Sequence, residues 1–151
     1  MIQVYTDGSS RGNPGPGGYG IVLKFNQQRK EMAQGYRLTT NNRMELLAII
    51  VALESLKRKD LEVHIYSDSK YVIDSIVNRW VWSWQQKGYK GKKNADLWER
   101  FLKIEKDFKI HYHWVKGHNG HEENERCDLL ATVAADHGPF LVDEVYEKLE
   151  N

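Results

Sequence analysis

Ile2 and Val4 alternate with Gln3 and Tyr5 from the first residues of the chain, the period-two pattern of a strand with one buried face. The same reading places strands near Ile2–Thr6, Gly18–Phe25 and Glu31–Leu38, with the polar stretch Asn26–Arg29 as a hairpin turn. At Met44 the pattern changes. Up to Lys57 the apolar residues Leu46, Leu47, Ile49, Ile50, Val51, Leu53 and Leu56 occupy nearly every face of a helix. Such a helix is buried and should lie centrally against a sheet. Asn42 is expected to cap it, and Lys57, Arg58 and Lys59 to close it. Val63–Ser67 then reads as a short apolar strand, followed by helices near Tyr71–Asn78 and Asp96–Lys106. Ile110–Val115 alternates again, and Asn124–Ala135 reads as a helix with Asn124 as its cap. This order predicts an α/β fold: a five-stranded mixed sheet, three strands antiparallel and the rest added by parallel crossovers, flanked by helices. Gly138-Pro139 ends the last helix, Val142–Leu149 suggests a short acidic amphipathic turn, and the tail from 137 to 151 receives no role.

A chain of 151 residues with 40% hydrophobic positions and five tryptophans suits one domain with a well-filled core. A single cysteine excludes an internal disulfide framework and fits a reducing cytoplasm. MIQVYTD enters a strand at once, without a secretory signal, and no apolar run approaches the ~20 residues of a membrane helix.

The net charge of +1 hides a segregation. Between Ser75 and Ala95 stand Arg79, Lys87, Lys90, Lys92 and Lys93 with no acid among them, whereas nine acids face two bases from Asn119 to Asn151. A basic patch interleaved with Trp80, Trp82, Trp84 and Tyr89 suits stacking and phosphate contact with a polyanion. A solvated basic loop beside a core-packing aromatic stripe accounts for the same residues about as well.

Four acids carry the candidate chemistry: Asp7 in YTDGS, Glu45 in NNRMEL, Asp68 in YSDS and Asp128 in NERCDLLA. Each sits near a predicted strand end or helix start, so the fold can gather groups distant in sequence. Singly, each has an ordinary explanation as turn former, capping-box partner, N-cap or helix-dipole charge. Together they repel unless protonated or bound to a cation, which implies a hard divalent metal, Mg²⁺ with Mn²⁺ able to substitute. GNPGPGGYG lacks the spacing and following helix of a phosphate loop and reads as a turn that brings backbone close to a ligand. His118, His121 and Cys127 lack a fourth soft ligand and make a poor structural zinc set.

The segments YTDGSSRGNPGPGGYGIVL, TTNNRMELLAIIVALESLK, YSDSKYV, NADLW and WVKGHNGHEENERCDLLA, in that order, resemble type 1 ribonuclease H over Ile2 to Ala135. The resemblance implies a single ribonuclease H domain over 1–151, likewise monomeric, that cleaves the RNA strand of an RNA–DNA hybrid. It implies that Asp7, Glu45, Asp68 and Asp128 hold two Mg²⁺ ions and that His118 is a mobile catalytic histidine. Ser10, Asn13, Asn41 and Asn42 would then line the minor groove at the RNA strand, and Thr40 with Asn94 would hold a DNA phosphate. Trp80, Trp84, Lys87, Lys90, Lys92 and Lys93 would form the basic protrusion that grips DNA. Leu38 stands where bacterial relatives often carry an arginine, a departure that touches the phosphate pocket. Two rivals remain open: another nuclease or integrase built on the same metal–carboxylate fold, and a hybrid-binding module without catalysis.

Overall fold

The computed structural model describes residues 1–117 and 121–150, the side chain of Glu150 excepted. The chain runs β1 (Ile2–Ser10), β2 (Gly15–Phe25), β3 (Gln28–Thr39), α1 (Asn41–Glu54), β4 (Glu62–Ser67) and α2 (Lys70–Val77). There follow α3 (Trp80–Gln86), α4 (Ala95–Glu105), β5 (Lys109–Trp114), α5 (Glu122–His137), β6 (Phe140–Leu141) and α6 (Glu144–Glu150). The strands form one sheet in the order β5-β4-β1-β2-β3-β6. β1, β2 and β3 are an antiparallel meander, while β4 pairs parallel with β1 and β5 parallel with β4. The mixed sheet follows the expectation, with a sixth strand of two residues added parallel to β3 at the far edge. Its signal, a two-residue strand after Gly-Pro, is too short to show as a period.

α1 has the all-round burial its sequence predicts, with ten buried residues between Arg43 and Leu53. It lies on one face of the sheet between β1 and α4, where Trp98 and Phe101 meet edge to face at 5.7 Å. α5 covers the opposite face over β1, β2 and β3. No helix among the described residues is long and apolar enough to cross a membrane.

The first three strands run longer than expected, so that only 26 and 27 remain in the hairpin turn, and three helix ends differ for local reasons. Thr40, not Asn42, caps α1: its backbone is extended and its hydroxyl accepts the Arg43 N–H at 3.2 Å, so Asn42 already lies inside the first turn. α1 also stops at Glu54, where Ser55 caps the last carbonyls, and the basic run Lys57–Lys59 falls in the following loop. α5 begins at Glu122, ahead of Asn124, with no side-chain cap; Glu122, Glu123 and Glu125 in its first turn complement the helix dipole instead. Trp80–Gln86, read as a stripe of aromatics in a basic patch, is the short helix α3.

Candidate active site

The centre of the site is built on the far half of β1. Asp7 lies inside this strand and not at its end, because pairing with β2 continues to Ser10. Gly8 follows it, and a Cβ there would come within 2.3 Å of the Glu45 backbone nitrogen, so glycine is what lets the start of α1 seat against the strand. Gly20 is the cross-strand partner of Asp7. A Cβ there would meet the Cys127 carbonyl at 2.4 Å, so α5 seats on the other face of the sheet at the same point. α1 thus brings Glu45 from one side and α5 brings Asp128 from the other.

Asp68 arrives on the turn after β4. Ser69 accepts the Val72 N–H at 3.2 Å and caps α2, which leaves the Asp68 carboxylate free of that duty. Asp7, Glu45 and Asp68 offer oxygens that all lie within 4.8 Å of one another. Asp128, half-buried in the second turn of α5, lines the same cavity as Asp7 and Asp68, together with Lys116, Asn124 and Glu125. The Gly8 N–H donates to Glu45 Oε1 at 2.5 Å and to Asp7 Oδ1 at 2.9 Å.

Electrostatics follow from this crowding. Burial, followed by the charges of Asp68 and Asp128, pushes the Asp7 carboxyl up to about 8 against the pull of its hydrogen bonds. Burial and then the neighbouring Asp7 and Asp68 raise Glu45 well above the usual carboxylate range. Asp68 Oδ1 is buried with no hydrogen-bond partner. An orphaned carboxylate oxygen among other carboxylates fits a hard divalent cation, which would satisfy it and relieve the repulsion.

The remaining sequence candidates fall into two groups around this centre. Ser10 ends β1, and Asn13 Oδ1 accepts the Asn41 N–H at 3.1 Å, which ties the glycine-rich turn to the start of α1 beside Thr40 and the exposed Asn42. Continuing from Asn42, a groove is lined by Asn42, Trp80, Trp84, Lys92, Lys93 and Asn94. Trp80 is 48% exposed there, whereas Trp84 stands edge-on to the buried Trp98 with the Lys92 ammonium over its ring at 5.1 Å. Lys87 and Lys90 are exposed on the turns that follow α3. Asn94 donates to the Tyr71 hydroxyl at 3.0 Å. His118 lies outside the described residues.

Arg43 escaped the sequence reading. It is 2% exposed, and its guanidinium grips Asp96 through two bonds of 2.7 and 2.8 Å and Asp143 through two of 2.7 and 3.0 Å. Thr39 also donates to Asp143 at 2.8 Å. The tail that received no role therefore anchors α6 to the start of α1, next to Thr40 and Asn94. An arginine inside an otherwise apolar helix was the available signal, since a buried guanidinium requires acids nearby.

Residues 1–136 match the family model described as RNase H. Curated ribonucleases H are similar along nearly the whole chain: that of Shewanella sp. (strain W3-18-1) is 51% identical over 97% of this chain and 96% of its own. The one from Desulforamulus reducens is 52% identical over 89% and 87%. Among solved structures, LC9-RNase H1, a type 1 RNase H with the type 2 active-site motif, superposes with a TM-score of 0.80 at 33% identity, over 98% of this chain and 79% of that one. LC11-RNase H1, solved in complex with an RNA/DNA hybrid, superposes with a TM-score of 0.67 at 31% identity, over 90% and 97%.

Proposed function

The chain belongs to the ribonuclease H family, and from that premise we propose that it is a monomeric single-domain endonuclease that hydrolyses the RNA strand of RNA–DNA hybrids. The observation that carries this reading is the convergence of Asp7, Glu45 and Asp68 oxygens within 4.8 Å, with Asp128 on the same cavity. Asp7, Glu45, Asp68 and Asp128 would hold two Mg²⁺ ions, for which Mn²⁺ can substitute. Bound there, the ions would supply Lewis-acid activation of a water for in-line attack on phosphorus and counter-charge for the departing 3′-oxygen. The P–O3′ bond breaks as the new P–O bond forms, giving 5′-phosphate and 3′-hydroxyl ends.

The protein's own work is positioning. Ser10, Asn13, Asn41 and Asn42 present short polar groups on the shoulder beside Glu45, where they suit 2′-hydroxyls across the wide minor groove of the hybrid. Trp80, Trp84, Lys87, Lys90, Lys92 and Lys93 form the stacking and charged surface for the DNA strand, with Thr40 and Asn94 at a DNA phosphate. His118 would assist proton movement or product departure, and His118→Ala should slow turnover ~10²–10⁴-fold without abolishing it.

The test is incubation with end-labelled RNA–DNA hybrid, duplex DNA, duplex RNA and single strands in Mg²⁺. Mg²⁺-dependent internal cuts confined to the RNA of the hybrid support the reading. Equal cutting of duplex DNA would favour a general nuclease of the same architecture, and tight hybrid binding without cleavage would leave only a binding module.

A further inference from the structure

The outer face of the β4–β5 edge carries a second set of ligands remote from the carboxylates. α5 covers β1, β2 and β3, and beyond it this face bears Glu62, His64, His111 and His113. Strand alternation sends Val63 and Ile65 into the core and turns His64 outward, directly across from His111 in the parallel register. The His64 and His111 rings stack with centroids 4.5 Å apart. Glu62, His64 and His111 each offer a ligand atom within 4.8 Å of the others. His111 Nε2 is buried without a hydrogen-bond partner, 3.7 Å from Glu62 Oε2. The other Glu62 oxygen is held by Lys109 at 2.9 Å, which leaves one carboxylate oxygen to give. His64 Nδ1 meets His113 Nε2 at 2.8 Å. A ring fixed through one nitrogen presents the other to a metal in a set orientation.

We propose that Glu62, His64 and His111 bind one zinc-class divalent cation on this sheet face, with His113 as the positioning residue for His64. Two imidazoles and one carboxylate match the ligand preference of Zn²⁺ and leave a fourth position for water. The all-oxygen carboxylate centre selects Mg²⁺ instead. Six residues of extended strand separate Glu62 from Asp68, roughly 20 Å at ~3.3 Å per residue, so the two sites would fill independently. A cation here would tie edge strand β5 to β4, the strand that leads into Asp68.

Zinc should be titrated calorimetrically into the protein in excess Mg²⁺, which fills the carboxylate centre and disregards imidazole. One saturable site is expected, weakened at least tenfold in His64→Gln and in His111→Gln. His113→Phe, which keeps all three ligands, should weaken it ~10–100-fold. The substituted positions are partly exposed, and circular dichroism with Mg²⁺-dependent hybrid cleavage would report whether each variant is folded. Imidazole ¹⁵N shifts should move for His64 and His111 on adding Zn²⁺ and stay still on adding Mg²⁺. Absence of saturable heat would overturn the proposal. So would an unchanged isotherm in the folded His64→Gln/His111→Gln variant, which would locate zinc elsewhere on the protein.

Discussion

α1 carries two buried charges of opposite sign two residues apart, and their surroundings differ completely. Arg43 is enclosed by carboxylates: burial works against the charge on Asp96, yet the Arg43 fork holds that carboxyl below its usual range, and Asp143 closes the other side. Glu45 faces carboxylates too, and among the described residues no Lys or Arg forms an ion pair with that cluster, although Lys116 lines the same cavity. The first arrangement is self-compensated and ties three distant segments together. The second is left electrostatically incomplete, which costs stability in the empty protein and creates demand for a metal. Buried charge is structural where the chain supplies the counterion and functional where it leaves that to solution.

The sharpest way to break this contrast is at the uncompensated end. Asp68→Asn keeps the side chain's shape but removes a charge of the proposed metal site, and should lower hybrid cleavage by on the order of 10⁴-fold, about 5.5 kcal/mol, while hybrid binding survives. Single-turnover assays with matched binding measurements check this, and a mutant within tenfold of wild type would remove Asp68 from the metal centre.

At the compensated end, Arg43→Met should reverse the relationship between stability and chemistry. It strands Asp96 and Asp143 without their counterion and should destabilise the fold by about 3–5 kcal/mol in urea titrations. Adding Asp143→Asn to that variant should recover part of the loss. If Arg43→Met melts like wild type, the network is ornamental.

The lysines test whether surface charge behaves like either buried cluster. Replacing Lys87, Lys90, Lys92 and Lys93 by Ala should raise KM with little change in kcat. It should also flatten the log–log salt dependence of binding by about 0.7–0.9 for each phosphate that is no longer neutralised. A wild-type salt slope would reduce this patch to a solvated loop.

The smallest expected effect sharpens the contrast best. In chelator, Asp7→Asn should stabilise the protein by roughly 0.5–2 kcal/mol while destroying activity. The pH dependence gives the sign. The Asp7 carboxyl is raised from 3.8 to about 8 in the fold, so the native state holds a proton there that the unfolded chain releases above ~4. Its contribution is therefore present at low pH and lost as pH climbs from ~4 through about 8. Thermal melts should show the advantage of Asp7→Asn over wild type growing across that window in chelator and shrinking in Mg²⁺. A mutant less stable than wild type throughout would mean that Asp7 is held mainly by its native hydrogen bonds.

Much of this architecture is legible in the chain alone, because its causes are local or periodic. The apolar surround of Leu46 to Leu53 announces a buried central helix, and the alternation at Ile2–Val4 and Ile110–Tyr112 announces strands. The acids stand out through the flanking words they share with a known family. What stays hidden depends on residues that meet only in the fold. Nothing near Asp143 indicates that it meets Arg43 one hundred positions away. Thr40 and Asn42 are both good caps, and only the backbone at Thr40 decides between them. The imidazoles at 64, 111 and 113 gather only when β4 and β5 are laid side by side in register.

Gly8 and Gly20 make the spacing of the clustered carboxylates a matter of backbone resting on backbone. Helices seated on side chains shift by fractions of an ångström whenever the core is repacked, whereas here main chain meets main chain beside Asp7, within the sheet. The site thus has its own mechanical datum, set beside the packing of Trp98, Phe101 and the rest of the apolar interior. Core substitutions can then drift in size and shape, changing how firmly the molecule holds together, while the gap between these carboxylates remains set by two missing methyl groups.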